Sequence, residues 1–306
     1  MNKKLNRFEV LGIVIISLIV LAGFYPLNLY KISPAPTTEI KQNLHTLAVY
    51  TKPANVYDWL DTQLFKTTEL IKLSENSDDL SEFDYQLTVA NAKRVALTYT
   101  KTLFTTKSNG LLVTKVEPTG DFKSILRVGD VITKINDNEL TNEQSLTFKK
   151  GDTVTVHFLR HNQQKTETVT LSQPNLKLAY TNLLDFKTDN ELFNKDKLTE
   201  ATNINGSSVG LIYSVYYILL LQNQHLTKPV AMTGTIDDKG NVGKIAGIKE
   251  KLLAANHDKI KYVFVPFENV EEAKEVKKQF DLKLEIYPVA NLNDTINYLT
   301  ELNLIK

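Results

Sequence analysis

The sequence predicts an α+β chain in three parts: an N-terminal transmembrane helix, a small β-rich module and a C-terminal α+β domain. Three observations carry this expectation. An apolar run from Val10 to Phe24 stands behind Lys3, Lys4 and Arg7; period-two alternation with turn residues fills the stretch from Gly110 to Leu171; and strand and helix patterns interleave from Leu178 onward. The length of 306 residues fits about two domains. A composition of 42% hydrophobic and 23% charged residues excludes a mostly disordered chain. A formal net charge of +1 leaves no global basic excess to hold nucleic acid by neutralising phosphates. With no cysteine, disulfides, thiol nucleophiles and thiolate metal sites are excluded as well, so chemistry falls to oxygen and nitrogen groups.

The apolar run is extended by Phe8, Tyr25, Leu27, Leu29 and Tyr30, and about 20 apolar residues cross a bilayer core. Positive charges flank its N-terminal side, which predicts a cytoplasmic tail at 1–9, a single-pass anchor at 10–30 and an extracellular remainder in the cell membrane. The competing reading is a cleaved signal peptide, with Val20-Leu21-Ala22 as the cutting point. Residues 31–100 are expected to link the anchor to the next module: a strand at Thr46–Tyr50, a break at Pro53, a helix over Ala54–Leu73, a polar loop at Ser74–Glu82 and a second helix over Tyr85–Tyr99.

The module at 101–172 shows LLVTKV, a Pro118-Thr119-Gly120 turn, VGDVITKIN, and a hairpin of TVTVHFLR with KTETVTL around Asn162-Gln163-Gln164. His157 and His161 are spaced HxxxH, but on a strand they lie about 13 Å apart, too far for one metal ion. Over roughly Lys101 to Ser172 this segment resembles a PDZ domain, through Gly110-Leu111-Leu112-Val113 and Leu126-Arg127-Val128-Gly129-Asp130-Val131-Ile132. The resemblance implies capture of a peptide as an added strand, with the loop Lys107–Leu111, and in it Ser108, Asn109, Gly110 and Leu111, taking a terminal carboxylate. A module that only spaces the next domain from the membrane is the alternative.

In the last part, 173–306, two elements carry chemistry. Asn205-Gly206-Ser207-Ser208-Val209-Gly210 leads into the apolar stretch Val209–Leu221, 13 residues long and so a buried core helix rather than a span. Ser208 at that helix start sits where free N–H groups and the helix dipole favour an oxyanion. Gly247 to Leu253 begins a second helix with Ile248, Leu252 and Ala255 on one stripe. At 100° per residue Lys251 lies about 60° from Ile248, while Lys249 lies about 100° away on the other side. Lys251 is therefore the lysine expected to be buried, with a lowered pKa that makes it a general base.

The block from Gly206 to Pro266 resembles the proteolytic domain of the Lon family. Gly206–Gly210 matches GPSAG, Met232-Thr233-Gly234 matches MTG, and Ala246–Ala255 matches GGLKEKLLAA. The resemblance implies Ser208 as nucleophile, Lys251 as catalytic lysine and Thr233 as the hydroxyl that holds the lysine. Backbone groups of Ser207, Val209 and Gly210 would stabilise the oxyanion. Ser207 and Val209 replace the family's proline and alanine; the second hydroxyl makes Ser207 the minor alternative nucleophile, and valine is the bulkier side chain. No GxxxxGK[ST] phosphate loop occurs, and Gly240–Ile245 reads as a hairpin turn after Asp237-Asp238.

The order of parts is similar to the membrane-anchored PDZ and Lon-type peptidases of Gram-positive bacteria, which cut secreted peptides, including a competence pheromone. The implied function is an ATP-independent serine endopeptidase acting outside the membrane. Its partners would be a peptide or protein substrate and, through the N-terminal helix, the membrane. Neither cofactor, metal, ATP nor nucleic acid is implied, and a homo-oligomer is left open. Two other readings compete. One is a Lon-like adaptor without activity; the other is an α/β hydrolase using the GxSxG at Gly206–Gly210 with Asp237 or Asp238 and His257.

Overall fold

A computed structural model describes residues 7–72, 77–140, 147–161, 163–196, 198 and 206–306. Helix α1 (Arg7–Gly23) opens the chain, followed by strand β1 (Pro26–Pro34). The single apolar helix expected over 10–30 is thus corrected. Pro26 cannot continue a helical hydrogen-bond ladder, and Leu27, Leu29 and Tyr30 belong to β1. Among the described residues no helix is long and apolar enough to cross a membrane.

Next come β2 (Thr38–Lys41), β3 (Leu44–Thr46), β4 (Val49–Asn55), α2 (Val56–Phe65), β5 (Glu69–Ile71) and α3 (Ser77–Tyr99). The strand expected at Thr46–Tyr50 is split between β3 and β4, and Pro53 lies inside β4 rather than breaking it. Proline is tolerated there because β4 is an edge strand of the antiparallel sheet β4-β1-β5. A capping box starts α2: Asn55 Oδ1 accepts from the Asp58 amide and the Asp58 carboxylate accepts from the Asn55 amide. Lys66, in the left-handed region at φ 56°, ends it, so the helix expected to Leu73 stops at Phe65. Helix α3 starts at Ser77, within the stretch expected as a loop; serine and acidic residues suit a helix start as well as a loop.

The β-rich module contains β6 (Phe104–Val116), β7 (Val131–Ile135), β8 (Asn138–Glu139), β9 (Thr153–Arg160), β10 (Gln163–Thr170) and β11 (Leu178–Thr188). They form an antiparallel sheet of order β10-β9-β7-β6-β11, with β8 on β7. Leu111, Val113, Phe122, Leu126, Ile132 and Phe158 fill its own core. Arg160 donates to both carboxylate oxygens of buried Asp130, at 2.8 and 2.6 Å. The sheet extends past residue 172, since β11 is its outer strand.

The last part holds α4 (Glu191–Asn194), a 3₁₀ turn at Ser207–Val209, α5 (Gly210–Leu221), β12 (Val230–Met232), β13 (Thr235–Ile236), β14 (Val242–Gly243) and α6 (Ile248–His257). It closes with β15 (Tyr262–Pro266), α7 (Val270–Gln279), β16 (Glu285–Val289) and α8 (Leu292–Glu301). Its sheet runs β16-β15-β12-β3-β2, with the first four strands parallel and β2 antiparallel. The class is therefore the expected mixture of α and β. The stretch 31–100, read from sequence as a link, supplies two of these strands, with Leu44 opposite Val230 and Thr46 opposite Met232. It also supplies α3, whose Ala92, Val95 and Ala96 share one core with Leu211 and Val215 of α5 and with Met232. Helix α5 is buried from Gly210 to Leu219, as its unbroken apolar sequence requires.

Candidate active site

Ser208 sits, half-buried, in the 3₁₀ turn that runs into α5. Two glycines let this turn lie flat against the neighbouring strand. Gly206 has φ 99°, and a Cβ on Gly210 would lie 2.6 Å from the backbone nitrogen of Ile236. The turn is tied to the segment after β12 by two backbone bonds: Gly234 N–H donates to the Ser208 carbonyl at 2.9 Å, and Leu211 N–H donates to the Gly234 carbonyl at 3.0 Å.

Thr233 emerges from the carboxyl end of β12, fully buried. Its N–H donates to the Phe264 carbonyl at 3.1 Å, and its Oγ1 donates to the Ser208 carbonyl at 3.3 Å. Lys251 comes from the first turn of α6, which starts at Gly247 in the left-handed region, φ 71°. Just upstream, the buried Asn269 amide brackets Ile245, accepting from its N–H at 2.9 Å and donating to its carbonyl at 3.0 Å. Lys251 is 3% exposed, and its Nζ donates to Thr233 Oγ1 at 3.2 Å. Lysine and serine are thereby joined through Thr233; among the described residues no direct hydrogen bond links Lys251 Nζ to Ser208 Oγ.

Burial lowers the Lys251 pKa from 10.5 to about 8, while the Glu250 carboxylate opposes the drop. A useful fraction of this amine is therefore neutral near neutral pH. Glu250 is fully buried, with Lys249 Nζ 3.3 Å away, and burial pushes its own carboxyl pKa up. Lys249 also donates to the Thr68 carbonyl at 3.2 Å, so the elements before residue 100 brace the helix of Lys251. Sequence reading missed Glu250 and Asn269. The signal available was a lone acid between two lysines on a half-buried helix, and an Asn closing the YVFVPFEN segment. A Glu250→Gln substitution removes the charge that favours the Lys251 ammonium. Its rising limb of kcat/KM against pH is expected at lower pH than in the wild type, as peptide-cleavage rates over a pH series would show.

Of the amides assigned to the oxyanion, that of Gly210 donates to the Ser207 carbonyl. The Ser207 and Ser208 amides are left as the leading N–H groups of the turn, while the Val209 amide closes the 3₁₀ turn on Gly206. Val209 is buried in the core shared with α3, so its extra bulk is accommodated there rather than in front of Ser208.

The remaining expected residues lie elsewhere. Asp237 closes the β13–β14 hairpin, accepting from the amides of Lys239 and Asn241 at 2.9 and 2.8 Å. The His257 side chain is 87% exposed at the far end of α6 and pairs with Asp258 at 2.8 Å. The structure does not bring the hydrolase set of Ser208, Asp237 or Asp238, and His257 together. His157 lies on β9 and bonds Thr166 and Asp137. Ser108, Asn109, Gly110 and Leu111, expected in a loop, lie inside β6, paired with β11. Asn109 is the extra residue of a bulge there, between the pairs Ser108–Leu184 and Gly110–Leu183. It lines a cavity of about 350 Å³ together with Gly129, Asp130, Arg160 and Leu183.

Residues 177–301 match the family described as the Lon protease (S16) C-terminal proteolytic domain. The chain is 38% identical to the Lon protease of Rickettsia bellii over 93 residues, 30% of this chain and 12% of that protein. It is 34% identical to that of Rickettsia typhi over 125 residues, covering 41% and 15%. With the Lon protease of Escherichia coli it shares 36% identity over 96 residues, covering 31% and 12%. The chain thus spans only 12–15% of the length of these relatives. Among solved structures, the PDZ domain of the SdrC-like protein from Listeria monocytogenes is a neighbour at 19% identity and a TM-score of 0.21, over 24% of this chain and 88% of that one. The corresponding domain from Listeria innocua gives 23% identity and a TM-score of 0.22, over 23% and 92%. The C-terminal part of the chain, residues 177–301, is similar to the proteolytic domain of Lon-type serine proteases.

Proposed function

We propose that this chain is an ATP-independent serine endopeptidase that works with a Ser208–Lys251 dyad on secreted or extracellular peptides. The observation that carries the reading is the buried amine of Lys251, held on Thr233 Oγ1, which is itself bonded to the Ser208 carbonyl. In the neutral form one N–H of the amine serves Thr233 and the lone pair is left for the Ser208 hydroxyl, reached by a side-chain rotation. Lys251 takes the Ser208 proton as Oγ forms its bond to the peptide carbonyl carbon. The leading backbone amides of the turn that starts at Ser207 receive the oxyanion. Collapse breaks the C–N bond, and the Lys251 ammonium returns the proton to the leaving amine. A water, deprotonated by the same amine, then releases the acyl group.

ATP independence is part of this reading because the chain carries no GxxxxGK[ST] run. The β-rich module, read as PDZ-like, would present the substrate, and α1 would hold the chain at a membrane with the catalytic part outside. Cleavage of a competence pheromone belongs to the group resembled and is not assigned to this chain. The test is a quenched fluorescent peptide library incubated with the full chain in the absence of ATP. Cleavage is expected in the wild type and in His257→Ala, and is expected to fall at least about a thousandfold in Ser208→Ala. If His257→Ala alone abolishes it, the hydrolase chemistry holds instead. If Ser208→Ala changes nothing, the adaptor reading replaces the enzyme.

A further inference from the structure

Helix α2 is built against the usual rule for a surface helix. Its aspartates face the protein: Asp58 is 5% exposed and lies 3.3 Å from Lys31 Nζ and 2.9 Å from Lys52 Nζ, and Asp61 pairs with the same Lys31. Its apolar side chains face outward, with Trp59 47%, Leu64 73% and Phe65 65% exposed, and Leu60 with them. At 100° per residue Trp59, Leu60, Gln63 and Leu64 fall in an arc of about 140° on the side opposite Asp58. A helix bordering water shows the reverse distribution.

This face continues into α1. Ile13, Val14, Ile15 and Ile16 are successive residues, each turned about 100° from the last, and all four are exposed. Over Ile13–Ile16 the helix is thus apolar and exposed on every side, a condition that one-sided contact with a protein does not satisfy and a lipid environment does. The two helices are joined at a fixed angle. Tyr57 Oη donates to the Val20 carbonyl at 2.9 Å, and the Phe24 and Tyr57 rings meet edge to face at 5.2 Å. The Tyr57 ring lies against Gly23, where a Cβ would lie 2.0 Å from Tyr57 Cζ and displace the ring. Exposed Tyr25 and Tyr50 and the cation of Lys66 lie in the same region of the chain. Trp and Tyr concentrate at membrane interfaces, and lysines there attract anionic headgroups.

We propose that α2 is an interfacial helix whose Trp59–Leu60–Leu64 face lies in the headgroup and acyl boundary of a lipid bilayer that also takes α1. This rests on the membrane part of the reading above and extends it. The sheet β4-β1-β5 carries α2, and Lys249 of α6 reaches across to Thr68 beside β5. Lipid contact at α2 would therefore set the height of the catalytic lysine above the membrane and favour substrates presented close to it.

Trp59 is the single tryptophan of the chain, so its fluorescence reports on α2 alone. The test uses the full chain reconstituted in vesicles of phosphatidylcholine and phosphatidylglycerol, with flotation as a separate reading of membrane attachment. The expected result is a blue-shifted Trp59 emission, quenched severalfold more by lipids brominated near the headgroup end of the acyl chain than by lipids brominated at its far end. A Leu60→Asp, Leu64→Asp double variant should lose the shift and still float. Emission typical of water and open to acrylamide, in a chain that floats, would overturn the role of α2 and leave α1 as the anchor. A blue shift that depends on protein concentration and ignores brominated lipid would overturn it in favour of contact between two copies. Failure to float would remove the membrane reading as well.

Discussion

Lys251→Met should abolish peptide cleavage and at the same time make the protein more stable near neutral pH. Loss of a general base costs about 10²- to 10⁴-fold in rate. The stability gain follows from linkage. Burial lowers the Lys251 pKa from 10.5 to about 8, so the folded state binds this proton less well than the unfolded state does. The cost of burying the charge is full below about pH 8, fades between there and 10.5, and is absent above. A shift of this size corresponds to about 3 kcal/mol. Methionine has a similar stem and no charge, so it removes that cost while filling the space. Thermal unfolding should show a higher Tm for Lys251→Met at neutral pH and little difference above pH 10.5. Equal stability at both pH values would mean that the amine is not held in a desolvated site.

Gly210→Ala should lose both stability and activity. Its new Cβ would lie 2.6 Å from the backbone nitrogen of Ile236 and 2.8 Å from Ile236 Cγ2. The nearer atom belongs to backbone in a strand, so it cannot swing aside as a side-chain end would. Overpacking of this kind costs about 1–3 kcal/mol. Relief requires moving the 3₁₀ turn off β13, and that movement pulls on the bonds Gly234 to Ser208 and Leu211 to Gly234. Denaturant unfolding should show the lost stability, and turnover should fall even in the folded fraction, because the turn that aims Ser208 has shifted. A stable Gly210→Ala enzyme with wild-type turnover would show that the turn does not need this close approach.

The placement of the candidate site residues was legible in the sequence because it is written locally. Glycines at 206, 210, 234 and 247 mark where backbone approaches closely or turns left-handed, and Ser208, Thr233 and Lys251 each sit within a few residues of one. The stripe of Ile248, Leu252 and Ala255 is fully buried, and a helical period suffices to place Lys251 beside it. What was not legible depends on distant packing. Strand β3 has three residues, Leu44 to Thr46, too few to show a period, and only its pairing with β12 makes it part of the site's sheet. Pro53 reads as a breaker unless it is known that β4 is an edge. Glu250 looks like a solvent-facing acid until Lys249 and the segment around Thr68 and Glu69 cover it. The segment Lys107–Leu111 reads as a loop around Gly110, yet β11, some seventy residues later, pairs with it along its length.

The most direct test is the titration of the Lys251 amine itself, followed by NMR of isotopically labelled lysine in the folded, active chain with Lys251→Met identifying the signal. A midpoint near pH 8 is expected, coinciding with the rising limb of kcat/KM. An ammonium that stays protonated through pH 10 while cleavage is already maximal near neutrality would contradict it.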